Sequence, residues 1–209
     1  MNQIGLINVT AETTIVQGED YIGDGLGIIE VNQSTDEYIV DTCTFTNCLS
    51  GAIYFELSNG GKAQIINSQF TGCQTSGSGG AINANIQSGG ILTIDGQCRF
   101  INCSAQNSGG GIYTQIDGEN SKLIIRYGVI FDTCSGEAGG GLFAMVKYSA
   151  QLIFEGDCKF INCSANSGSG GGMHAQSSGE GCLIRVIGEL LFNNCSSSSI
   201  GGGIYFSET

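Results

Sequence analysis

From residue 37 onward, apolar and polar positions alternate in short runs separated by glycine, serine and asparagine. Leu123-Ile124-Ile125-Arg126 is followed by Val129-Ile130-Phe131 and, beyond a glycine triplet, by Leu142-Phe143-Ala144-Met145-Val146. Period-two alternation bounded by turn residues predicts half-buried strands. No segment carries apolar residues at i, i+3, i+4 and i+7 for long enough to predict a helix.

The runs belong to a repeat of about 30 residues. Six copies of F-x-x-C occur, at Phe45/Cys48, Phe70/Cys73, Phe100/Cys103, Phe131/Cys134, Phe160/Cys163 and Phe192/Cys195. Each is followed by a glycine-rich run and an apolar residue: Ile53, Ile82, Ile112, Leu142, Met173 and Ile204. Three short strands per unit, stacked at roughly 4.8 Å per turn, predict an all-β parallel β-helix of about seven coils. The chirality of parallel crossovers makes it right-handed. Residues 37–209 form the repeat region. Residues 1–36 read as an atypical opening coil, with strands over Ile4–Val9, Thr13–Val16 and Gly27–Val31 separated by the acidic stretch Gly18–Gly25.

Parity sorts the side chains. Ile112/Thr114/Ile116, Leu123/Ile125 and Val129/Phe131, with their counterparts, are expected to face the core. The opposite parity of the first strand brings Tyr54, Asn83, Tyr113, Phe143, His174 and Tyr205 into one outward column. Rings and amides on a flat sheet suit a sugar or a protein surface, because an aromatic ring offers an apolar face and a polar edge. Like residues also stack on any exposed parallel sheet without a ligand.

Composition narrows the function classes. The net charge is −12, and the seven basic residues are scattered singly, which excludes a phosphate-binding stripe. No apolar run is long enough to span a bilayer, and the first residues lack the pattern of a signal peptide. The glycine runs lack the G-K-[ST] ending of a phosphate loop. Asp41, Asp95, Asp132 and Asp157 do not share one face, so no acid–base or calcium constellation is expected. No cofactor or metal is called for.

The ten cysteines fall into three sets. Cys48, Cys73, Cys103, Cys134, Cys163 and Cys195 form a structural column; Cys43, Cys98 and Cys158 lie two residues before a Phe; Cys182 stands apart. At one strand spacing, equivalent cysteines satisfy either a stack of buried thiols or cross-links between turns. The C-x₄-C spacing with no nearby His argues against zinc. Asn47, Asn102, Asn162 and Asn194 precede the column cysteines and are expected to face inward as an amide ladder rather than carry glycans. Asn8 and Asn32 are better acceptors.

The combination F-x-x-C plus G-G-[AG]-[ILM] resembles the repeat of the polymorphic outer-membrane proteins, autotransporter-type adhesins, and related Cys-bearing surface proteins of protists. The resemblance spans roughly residues 40–206. It implies a right-handed β-helix at the cell surface or outside the cell, with an adhesive role and a glycan or protein partner. This chain departs from the family in placing Cys where the family has Asn. Two further readings are a subunit or segment of a β-helical filament and a polysaccharide-active enzyme on the same fold.

Overall fold

The computed structural model describes residues 6–8 and 13–209. These residues form strands and turns, with no helix among them. One winding shows the plan. Ile112–Asp117 lies in sheet I, Lys122–Ile125 in sheet II, Val129–Asp132 in sheet III and Ser135–Gly136 in sheet IV. Each strand pairs in parallel with its counterpart one repeat later, without a register shift. Sheets I to IV contain eight, seven, seven and five strands among the described residues. The chain is therefore a parallel β-solenoid of about seven windings.

Sheet IV is an addition to the expected three strands per coil. Its strands are two residues long, such as Ser104–Ala105 and Ser164–Ala165, too short to show any alternation. A second addition lies in the acidic stretch Gly18–Gly25, where Asp20–Ile22 forms a strand of sheet III. Ile4, Gly5 and Val9 lie outside the described residues.

Inward parity holds through the middle windings. Ile112, Thr114, Ile116, Leu123, Ile125, Val129 and Phe131 are all fully buried. On the last strand of sheet II, Ile184 is partly buried and Val186 is 45% exposed, since no further strand of that sheet lies over them.

The core is organised around a stack of rings. Tyr21, Phe45, Phe70, Phe100, Phe131, Phe160 and Phe192 follow one another with centroids 4.7–4.9 Å apart and planes within 11° of parallel. That separation is one strand spacing, and it gives the offset-stacked arrangement aromatic quadrupoles prefer. The glycine run is shaped around the same axis. A Cβ on Gly110 would sit 2.3 Å from the Ser135 carbonyl oxygen and 2.4 Å from that of Gly140, so only a bare Cα fits between windings. Gly111 is less constrained: Ala52 and Ala81 fill the same place in earlier windings and are buried.

The asparagines before the column cysteines correct the expectation of an inward amide ladder. Asn47, Asn102, Asn162 and Asn194 are exposed, with φ between 52° and 54°. In the windings between them the position holds Gly72 (φ 64°) and Thr133 (φ 56°). The corner needs a left-handed backbone, and asparagine and glycine adopt it at least cost. Only Asn194 and Asn162 share an amide hydrogen bond, Nδ2 to Oδ1 at 2.8 Å. Asn32 is partly buried, and the sequon at Asn8 runs into Val9 and Thr10, outside the described residues.

Two stability measurements check this account. Phe100→Ala removes a fully buried ring from the middle of the stack and is expected to cost about 3–5 kcal/mol in urea unfolding; Phe192→Ala, at a half-buried position, is expected to cost less than half as much. Thr133→Asn relieves a β-branched residue held at positive φ and is expected to stabilise by about 1 kcal/mol, since the Thr133 hydroxyl bond to Asp132 that it gives up is at the surface.

Candidate functional site

The outward face of sheet I brings the predicted column together. Asn83 is the register partner of Tyr54 on one side and Tyr113 on the other, and the series continues through Phe143, His174 and Tyr205. The rings touch. Tyr113 and Phe143 stack at 5.5 Å, Phe143 and His174 tilt at 4.7 Å, and His174 meets Tyr205 edge-on at 4.9 Å.

The column is less open than parity alone implies. Phe143 is only 8% exposed, and the other five are partly buried. The Gly/Ser run that leads into Ile82–Gln87 folds back beside its first outward residue: Asn83 Nδ2 donates to the Ser78 carbonyl at 3.1 Å. His174 sits in the corresponding place. Burial lowers its pKa, partly opposed by the nearby Ser169 carbonyl. Its Nδ1 is buried without a hydrogen bond of normal geometry, and Nε2 lies 3.5 Å from Ser207 Oγ.

The open part of the face lies toward the N-terminal windings. A groove of about 370 Å³ is bordered by Ile28, Glu30, Asn32, Tyr54, Glu56, Ser58 and Gln87. Glu30 and Glu56 are register partners on adjacent strands, as are Ile28 and Tyr54. Glu56 accepts a 2.8 Å bond from Asn85 Nδ2. The Tyr54 hydroxyl is pushed up to about 12 by burial, by its hydrogen bond to Glu56 and by the charge of that carboxylate, so it remains a neutral donor. The arrangement offers an aromatic and aliphatic floor with carboxylate, amide and hydroxyl groups around it. Ile28 and Glu30 were not singled out by the sequence, and Asn32 only as a glycan acceptor, because their winding lacks the F-x-x-C and glycine signatures; their parity with Tyr54 and Glu56 was the available signal.

Elsewhere on the surface, Asp95, Arg126 and Glu155 form a charge ladder of alternating sign, with Arg126 3.4 Å from Asp95 and 2.8 Å from Glu155. At this exposure such pairs contribute about 0–1 kcal/mol. No group of three or more His, Cys, Asp or Glu side chains could hold a metal among the described residues. Among the described residues, no helix is long and apolar enough to cross a membrane.

Comparison of the chain with protein-family models, with curated proteins and with solved structures finds no match.

The buried imidazole gives a pH signature. Its folded pKa lies below the ordinary 6.5, so its contribution is complete above that value and is lost as the pH falls toward the folded pKa. The melting temperature is expected to drop between pH 7.5 and pH 5.5 by more in the native chain than in His174→Phe, measured by circular dichroism. Equal drops would mean that carboxylate protonation alone sets the acid limit.

Proposed function

We propose that this chain is a non-enzymatic surface or extracellular module that binds glycan along the outward face of sheet I, with the Tyr54 groove as the contact point. The observation that carries the reading is the groove itself: one ring and one aliphatic side chain flanked by paired carboxylates and amides, on a sheet whose backbone is fixed by neighbours on both sides. Sugars present alternating apolar C–H faces and hydroxyl edges. A tyrosine ring covers the first, and carboxylate and amide groups accept and donate at the second. Beyond Asn83, the partly buried ring of Tyr113 continues the face along the solenoid axis, as a polymeric ligand requires.

Charge selects within that class. A net charge of −12 repels sulfated or sialylated chains, while Glu30 and Glu56 favour neutral or amino sugars. The resemblance of the repeat to adhesin repeats points the same way, toward attachment rather than turnover. Binding of neutral and amino-sugar oligosaccharides, measured by glycan array and calorimetry, is expected to weaken at least tenfold in Tyr54→Ala. It should weaken several-fold in Glu56→Gln, with sheet content unchanged. Release of new reducing ends on incubation would replace the binding module with a hydrolase built on the Glu30–Glu56 pair. Unaltered binding in both variants would place the sugar elsewhere on the molecule and overturn the groove as the contact point.

A further inference from the structure

The column cysteines are the largest set of nucleophilic side chains that the groove does not use. Backbone bonds hold them in line. Gln74, Ser104, Ser135, Ser164 and Ser196 each donate N–H to the carbonyl of the cysteine one winding earlier, at 2.8–3.0 Å. In-register parallel neighbours place equivalent Cα atoms about 4.8 Å apart, inside the roughly 4.4–6.8 Å that a disulfide accepts. The side chains face one another as well. Neighbouring thiols perturb one another's ionisation along the whole column, Cys48 with Cys73, Cys73 with Cys103, Cys103 with Cys134, Cys134 with Cys163 and Cys163 with Cys195. All ten cysteines are free in this structure.

The other four have no cysteine at the equivalent place one winding above or below. Ser68 stands between Cys43 and Cys98, bonded to both through its hydroxyl and its N–H. Cys158 pairs in register with Val129 and Leu190. Cys182 lies at a different corner, against the Val146 carbonyl.

We propose that the column is an oxidation site whose six thiols combine into three rungs, Cys48–Cys73, Cys103–Cys134 and Cys163–Cys195. This is the single scheme in which nearest neighbours consume all six; any other nearest-neighbour pairing leaves at least two unpaired. The oxidant is a small-molecule disulfide of the glutathione type. One cysteine thiolate attacks it and expels the first small thiolate. The neighbouring cysteine thiolate then attacks the mixed disulfide, forming the rung and expelling the second. The two protons lost by the protein thiols go to the two departing thiolates, so two protein thiols and one small disulfide yield one rung and two small thiols. Cys103 and Cys134 are fully buried in the finished solenoid, so the central rung forms while the chain folds. Each rung clamps one winding to the next.

The test is refolding of the full chain from the reduced, denatured state in a glutathione redox buffer, with the β-sheet product isolated by size and circular dichroism. Alkylation under denaturing conditions and peptide mapping are expected to find the three named bonds and four alkylated residues, Cys43, Cys98, Cys158 and Cys182. The oxidised product should melt roughly 10 °C or more above the reduced one. Cys103→Ser is expected to retain Cys48–Cys73 and one bond within Cys134, Cys163 and Cys195, leaving five free thiols. Ten alkylatable thiols in a correctly folded product would overturn the proposal. So would any bond to Cys43, Cys98, Cys158 or Cys182, or the shifted pairs Cys73–Cys103 and Cys134–Cys163.

Discussion

Unshifted parallel register is the constraint on which everything else in this molecule depends. Each residue sits one strand spacing from its own counterpart in the winding above and below, so the packing problem reduces to what a residue type does beside itself. Phenylalanine does well: Phe70, Phe100 and Phe131 overlap with near-parallel planes, each ring pair adding about 0.5–1.5 kcal/mol beyond burial. Cysteine does well for a different reason. Its small thiol fits a tight corner, bonds to a backbone carbonyl, as Cys134 does to Phe100 at 3.3 Å, and lies beside the next thiol along. Burial and these thiol contacts push the Cys134 pKa well up, keeping it protonated. Charge does badly, and the single cationic residue of its ladder, Arg126, is accommodated only because Asp95 and Glu155 alternate with it.

The corners impose the second requirement. A chain that closes a winding in about 30 residues must turn sharply several times, and it does so with left-handed residues. Asn59-Gly60, Ser88-Gly89 and Tyr148-Ser149 turn from sheet I toward sheet II; Asn67, Gly96 and Gly128 precede sheet III. Proline is absent from the chain, consistent with corners whose positive φ a pyrrolidine ring cannot reach. This explains why asparagine precedes the cysteine. The residue is chosen for its backbone, and its side chain is left in solvent.

These two requirements differ in how plainly they write themselves into sequence. Register produces like residues at a fixed interval, so the Phe, Cys and inward aliphatic columns, and with them the solenoid, were legible. Tyr21 was not, although it closes the stack on Phe45, because Asp24 stands where its winding would carry the cysteine. Backbone conformation is written more weakly: Asn, Gly and Thr share one left-handed corner, and their mixture resembled an interrupted amide ladder. Exposure of the outward column was read from parity, which fixes direction but says nothing of the Gly/Ser run that folds beside Asn83 or of the rings that flank Phe143. The groove at Tyr54 depends on how two neighbouring windings differ, and a repeat pattern is blind to differences.

That last point bears on where specific chemistry resides in such a fold. Positions that repeat faithfully are bound to the stack: replacing one member of the Phe or middle-glycine column disturbs the neighbours above and below. Positions that vary from winding to winding are free of that duty. On sheet I the second outward place runs Glu30, Glu56, Asn85, Gln115, Met145 and Gln176, a series whose packing imposes no common side chain. The carboxylates cluster at one end, beside the ring of Tyr54 and the aliphatic Ile28, and there the surface is concave. A regular scaffold thus confines recognition to the places where its repeat is broken, and the groove is such a break.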